Sequence, residues 1–269
     1  MDTTPPLRLG YADSRFGQLH YAEQGAGRPL LLLHQTPRSW DEFRELMPLL
    51  APHRRVLAMD MVGFGASAKP PAPHTIELFA AGALALLDGL GIGRADVLGH
   101  HTGGAVAIEL AATAPERVGL LVLSSTPWTG SRYRETHANG PGVDEAVPSP
   151  EGDHLIALWR LRRPYYPEPV TDLLDRFIHD ALAPGVDPAE GHRACARYRM
   201  EDRIGLVKAA VLLLGAAADP FALPALAPLR EHLTAAASVT SAVIDGGTIP
   251  LMEHKAAEVA EAVTAFLTR

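Results

Sequence analysis

Between Ala95 and Gly104 the chain reads as a short apolar strand, a tight turn flanked by glycines and the start of a helix. A joint of this kind constrains the fold strongly, because a helix leaving the end of a buried strand must pack back over the sheet before the next parallel strand can form. The segment Gly99-His100-His101-Thr102-Gly103 has the spacing of G-x-S-x-G, the turn that presents a serine at the top of a sheet, but its central residue is His101.

The flanking sequence repeats the alternation. Leu7 to Gly10 and Gln18 to Ala22 alternate as an antiparallel opening hairpin, and Pro29 to Leu33 is a continuous apolar run suited to a buried parallel strand. Ser39 and Glu42 stand at capping-box spacing and predict a helix running towards Ala51, followed by a strand over Arg55 to Met59. A helix is expected from Thr75 through Leu87, the central strand over Asp96 to Leu98, a helix over Ala105 to Ala114 and a strand over Gly119 to Ser124. The rhythm then stops. From Trp128 to Ile204 there are breaker clusters at Gly140-Pro141-Gly142 and Pro148-Ser149-Pro150, helical patterns at Asp153 to Arg163 and Val170 to Leu182, and no β alternation. Strand signals return at Ala210 to Leu214 and Val239 to Ile244, with helices over Leu223 to Leu233 and His254 to Leu267. The prediction is an α/β fold, a mostly parallel sheet flanked by helices, with a core over 1–127 and 205–269 and a helical cap over 128–204.

Composition narrows the function classes. With 269 residues, 47% of them hydrophobic, the chain can bury a large core, which favours one unit carrying an insertion. Its 24 Lys and Arg against 31 Asp and Glu give a net charge of −7, which argues against a large phosphate-binding surface and against nucleic acid as a partner. Cys195 is the sole cysteine, so no intrachain disulfide forms, and Met1 to Pro6 lacks the basic and apolar stretches of a signal peptide; a cytoplasmic protein is expected. The longest apolar runs, Leu78 to Leu87 and Ala209 to Leu214, fall short of the roughly 20 residues that span a bilayer, so no membrane segment is expected. His100 and His101 are adjacent and diverge, and the other histidines lack H-E-x-x-H or Cys/His spacing; neither a metal nor a cofactor is expected. Nothing in the sequence reports the oligomeric state.

Five segments carry a family pattern: His34-Gln35-Thr36-Pro37, Asp60 to Ser67, the turn at His101, Asp219-Pro220 and Asp245-Gly246-Gly247. Each follows a predicted strand, at the end where open α/β sheets gather their ligand sites. In this order the chain resembles the α/β-hydrolase superfamily over nearly its whole length, with the cap matching least. The resemblance implies a nucleophile (serine, aspartate or cysteine) at the position of His101, an acid at Asp219, and a histidine base after the last strand, where this chain has Thr248. It also implies an oxyanion hole made by the backbone N–H groups of Thr36 and Thr102.

These departures suggest that the imidazole has moved onto the turn. His101 oriented by Asp219 would form a dyad in which the carboxylate fixes the tautomer and the other ring nitrogen removes a proton, work that contributes about 10²–10⁴-fold. Direct nucleophilic attack by His101 is the lesser alternative. Gln35, where the family generally has glycine, is a candidate substrate contact; Thr248 is a candidate pocket liner, and His34 and His100 are candidates to shape the loops beneath the site. His254 precedes an evident helix start and reads as a residue of that helix. In the cap, Trp128, Trp159, Tyr165, Tyr166 and Tyr198 interleave with Arg160, Arg162, Arg163, Arg197 and Arg199, a composition suited to an aromatic or conjugated small molecule with an anionic or carbonyl group; Trp128, Trp159 and Tyr166 are the pocket candidates. Three functions follow, in order: hydrolysis of an ester, lactone or related carbonyl with His101 activating water; cofactor-free proton transfer of a lyase, isomerase, cyclase or dioxygenase type; and ligand binding without turnover.

Overall fold

A computed structural model of the chain describes residues 5–137 and 142–268. Residues Gly140 and Pro141 of the first predicted breaker cluster lie outside the described residues.

Eight strands form one sheet in the order β1-β2-β4-β3-β5-β6-β7-β8. The hairpin β1 (Arg8–Ser14) and β2 (Gly17–Gln24) is antiparallel, and β2 joins β4 (Arg55–Met59) antiparallel through Tyr21 opposite Met59. From there the sheet is parallel through β3 (Pro29–Leu33), β5 (Ala95–His100), β6 (Val118–Ser124), β7 (Ala210–Ala216) and β8 (Ser238–Ile244). The inner strands are continuous apolar runs because helices cover both faces. On one face Leu31, Leu33, Val97 and Leu121 pack with α2 (Ile76–Gly89) and α3 (Thr102–Thr113). On the other, Leu30, Leu32, Leu98 and Val122 pack with α1 (Met47–Leu50) and the terminal α10 (Ala256–Leu267). Strand order reverses between β3 and β5, and it is there that Thr36 and His101 leave the sheet.

Between β6 and β7 the described elements are all helical: α4 (Ser131–His137), α5 (Asp153–Arg162), α6 (Thr171–Ala181), α7 (Glu190–Arg197) and short 3₁₀ turns. This segment has its own apolar nucleus of Leu158, Tyr166, Val170, Leu174, Phe177 and Ala181. After β7 come α8 (Leu226–His232), β8, α9 (Leu251–His254) and α10. Among the described residues, no helix is long and apolar enough to cross a membrane.

Two local expectations need correction, and two helices were not expected. The helix expected from Ser39 to Ala51 is split into a 3₁₀ turn over Trp40–Phe43 and the short α1. Ser39 does cap the turn, but Glu42 does not close the box, because its carboxylate is held by the backbone and side chain of Gln35. The helices α4 and α7 lacked a sequence signal, being short and mostly polar. His254 ends α9 instead of opening the closing helix, which starts at Ala256.

Candidate active site

His101 sits between β5 and α3 with φ 47 and ψ −115, a left-handed conformation that a side-chain-bearing residue adopts only at a cost of order 1–3 kcal/mol. Two glycines make this turn possible. A Cβ on Gly99 would overlap the backbone of Gly103, and a Cβ on Gly103 would overlap the carbonyl of Leu33 at the end of β3. The first turn of α3 is therefore pressed against β3, and Thr102 is brought beside Thr36, their hydroxyls 2.9 Å apart.

The turn aims His101 at Asp219, which follows β7. His101 Nε2 lies 2.9 Å from Asp219 Oδ2, with the Asp219 side chain fully buried and the imidazole 14% exposed. The approach is at ion-pair distance but off the axis of a linear hydrogen bond, so both atoms remain without a hydrogen-bond partner. The other carboxylate oxygen, Oδ1, accepts from the backbone N–H groups of Phe221 and Ala222 at 3.0 and 3.1 Å, which fixes the carboxylate plane. Burial acts to raise the Asp219 pKa, but the positive charge His101 can carry and the two amides outweigh it and hold the carboxyl at about 2. The negative charge of Asp219 at 2.9 Å favours the ring proton on Nε2 even without a linear hydrogen bond, which leaves Nδ1 as the nitrogen for chemistry.

Neither Thr36 N–H nor Thr102 N–H donates to a protein acceptor among the described residues. Thr102 N–H is one of the unspent donors at the N-terminus of α3, where the helix dipole favours negative charge.

Several predicted contacts are spent on the scaffold. Gln35 is 5% exposed, and its amide donates to Glu42 Oε1 at 2.5 Å, so it is a brace and not a substrate contact. His34 is fully buried; Nε2 accepts from Met61 N–H at 2.9 Å and Nδ1 donates to Gln35 O at 2.6 Å. His100 is likewise sealed, donating from Nε2 to Ile249 O at 3.0 Å and accepting at Nδ1 from Ser124 Oγ at 3.2 Å. Burial, reinforced by the neighbouring His101, lowers the His100 pKa to about 3, so it stays neutral and ties the turn to the loop that carries Thr248. Neither histidine has a nitrogen left for a ligand.

Trp128 packs on the His232 ring at 4.4 Å and against the core, which makes it a packing residue. Trp159 lies on the cap's own nucleus, and Tyr166 is buried within it at 6.1 Å from the Phe177 ring. Tyr198 is buried and donates to Glu109. The cap arginines do not form an anion site. Arg162 is paired with Asp144, Arg197 with Glu190, Arg199 with Asp202 and Arg163 with Glu168, while Arg160 is exposed. Thr248 is half-buried, with its hydroxyl 3.4 Å from His254 Nε2. His254 binds its own turn, donating from Nδ1 to Pro250 O at 2.8 Å. Among the described residues, no three His, Cys, Asp or Glu side chains are grouped to hold a metal.

Sequence reasoning passed over α7. Its Gly191 packs so closely on the Thr36 side chain that a Cβ would overlap it, and the Cys195 thiol, pushed up to about 12 by burial, meets the Thr102 hydroxyl. The residue beside Gly191 is His192, whose Nε2 lies 3.1 Å from Asp144 Oδ2. No motif could have flagged this pair, because 48 residues separate its members.

A sheet of this order, with a strained turn after β5 and an acid after β7, defines the α/β-hydrolase fold. A family model described as alpha/beta hydrolase fold matches residues 28–153. The chain is 42% identical over 105 residues to 2-hydroxymuconate semialdehyde hydrolase of Pseudomonas sp. strain CF600, covering 38% of this chain and 37% of that one. It is 38% identical over 123 residues to bifunctional epoxide hydrolase 2 of Mus musculus, covering 44% and 22%. The matched stretch thus spans little more than a third, or less, of these curated relatives. Among solved structures, the enol-lactonase of Burkholderia xenovorans LB400 superposes with a TM-score of 0.79 at 22% identity, covering 97% of this chain and 100% of that one. An epoxide hydrolase from an endophytic Streptomyces superposes with a TM-score of 0.81 at 22% identity, covering 99% and 96%. These likenesses show the α/β-hydrolase fold.

Proposed function

We propose that this protein is an α/β-hydrolase-fold enzyme that hydrolyses an ester or lactone of a small organic molecule, with His101 as general base. The observation that carries the reading is the 2.9 Å approach of His101 Nε2 to Asp219 Oδ2 on a turn that ordinarily presents a nucleophile. The named hydrolases among the relatives support the reaction class, and the unspent Thr36 and Thr102 amides support a carbonyl at the site.

In this mechanism the substrate carbonyl oxygen accepts from the Thr36 and Thr102 amides. Water adds to the carbonyl carbon as His101 Nδ1 takes its proton, and Asp219 stabilises the resulting imidazolium. The tetrahedral intermediate then expels the alkoxide, breaking the C–O bond. His101 returns the proton to the leaving oxygen, giving a carboxylic acid and an alcohol. No covalent intermediate forms on the protein.

A panel of simple esters and lactones assayed with the wild type and His101→Ala tests this. A fall in kcat/KM of about 10²–10⁴-fold is expected for the variant. Unchanged turnover in His101→Ala overturns the base assignment, and an acyl adduct on His101 in the intact mass of quenched enzyme replaces it with nucleophilic attack. Solvent deuterium entering an unhydrolysed carbonyl substrate would instead mark proton-transfer chemistry.

A further inference from the structure

The cap carries a second histidine–carboxylate pair. Asp144 is fully buried and clamped by Arg162, whose Nε donates to Oδ1 at 2.6 Å and whose Nη2 donates to Oδ2. His192 Nε2 is 3.1 Å from the same Oδ2. Arg162 Nη2 also stands 3.4 Å from Nε2, but the shorter contact, 3.1 Å, is to the carboxylate, which can only accept, so Nε2–H of His192 donates to Asp144 and the lone pair at Nδ1 is left bare. Nδ1 makes no hydrogen bond among the described residues, and the side chain keeps 23% of its surface. His192 is carried by α7, which touches the site where Gly191 rests on the Thr36 side chain and Cys195 on Thr102. Burial lowers the His192 pKa; the hydrogen bond and charge of Asp144 oppose this, while Arg162 and His101 add to it. His192 is therefore neutral near pH 7, an acceptor and not a cation.

We propose that His192, oriented by Asp144 and Arg162, accepts a hydrogen bond from a hydroxyl of the substrate, so that the enzyme prefers uncharged hydroxy-esters or hydroxy-lactones. The preference for an uncharged ligand follows from the same ion pairs: among the described residues, Arg162, Arg197 and Arg199 of the cap are matched by carboxylates and Arg160 is exposed, so these arginines offer an anion no buried, unpaired charge. A site built around a bare acceptor discriminates for a donor-bearing substrate, because the analogue without the hydroxyl leaves that acceptor unpaired.

This inference rests on the hydrolase reading, and its test separates the two. Methyl mandelate is compared with methyl phenylacetate, and α-hydroxy-γ-butyrolactone with γ-butyrolactone, by kcat/KM in wild type, His192→Phe, His192→Gln and His101→Ala. The wild type is expected to favour the hydroxylated member about tenfold or more. His192→Phe should erase that ratio, and His192→Gln, which keeps an acceptor, should retain part of it. Equal loss on both members of a pair, or a wild type with no preference, overturns the proposal while leaving His101 in place. Activity surviving in His101→Ala overturns the base assignment without touching the His192 ratio. If neither pair is turned over, calorimetric titration of the same four compounds reads the preference directly, and equal or absent binding within both pairs overturns it.

Discussion

Glu42 lies without exposed surface beneath the Thr36 loop, accepting from Gln35 N–H at 2.8 Å and from the Gln35 amide at 2.5 Å. Burial is the largest influence on it and the nearby Glu253 adds to it, so that despite Arg38 its pKa stands at about 8. A carboxyl raised above its unfolded value of about 4.3 binds a proton in the folded state that the unfolded chain has released, so stability falls as pH rises through that window. Glu42→Gln removes the titration and keeps the shape. Measured by urea unfolding from about pH 5 to pH 8, the variant should gain on the wild type by up to a few kcal/mol. A difference that is flat with pH would mean that Glu42 is ionised throughout and that its neighbours compensate it fully. The residue scale also shows what was readable in advance. The positions of His101, Asp219, Thr36 and Thr102 were legible because each follows a strand end in a fixed order. Gln35 and His100 were assigned to the right loops, but which atoms their side chains bind depends on Glu42, Ser124 and Ile249, distant in sequence.

Helices α3 and α7 meet the two sides of the Thr36–Thr102 pair by close approach, and the approaches differ in kind. Gly103 faces the backbone carbonyl of Leu33 in a helix pressed against β3, whereas Gly191 faces the Thr36 side chain as far in as its Cβ, which no rotation moves, so relief there requires α7 of the cap to shift outward. Gly103→Ala should therefore cost several kcal/mol of stability, beyond the usual 1–3 kcal/mol of overpacking, and Gly191→Ala should stay within that range. Thermal unfolding of both variants checks the ranking, and a milder Gly103→Ala would show that α3 can slide on β3. The elements of the sheet were predictable because continuous apolar runs such as Pro29 to Leu33 and Ala210 to Leu214 have few alternatives inside an α/β fold. The cap was predictable only as helical. Its arginines and aromatics read as a ligand surface by composition, whereas in the fold they are spent on carboxylates such as Asp144, Glu190 and Asp202 or on the Leu174–Phe177 nucleus.

At the scale of the whole molecule, the cap is joined to the core through buried charge. Arg38, on the loop after β3 and with a fully buried side chain, donates to Asp180 of α6 at 2.9 Å and to Glu253 of α9 at 2.7 Å. Arg176 of α6 returns the link, reaching Asp41 at 2.5 Å and Glu45 at 2.8 Å. The two joints are not equivalent. Removing Arg38 strands buried carboxylates on both partners, and breaking a buried pair in this way costs about 3–5 kcal/mol. The Arg176 side chain is 18% exposed, its partner Glu45 is 38% exposed, and its more buried partner Asp41 keeps the Arg44 ion pair when Arg176 is removed, so about 1 kcal/mol is expected. Arg38→Met and Arg176→Met, compared by denaturant unfolding at neutral pH, should therefore differ by at least 2 kcal/mol. Lowering the pH should narrow the gap, because Glu253, whose pKa burial raises, then takes up a proton and removes a stranded charge that makes Arg38→Met costly. Equal destabilisation by the two variants would mean that water enters the Arg38 site when the guanidinium is gone, and the cap would then be held by its apolar contacts alone.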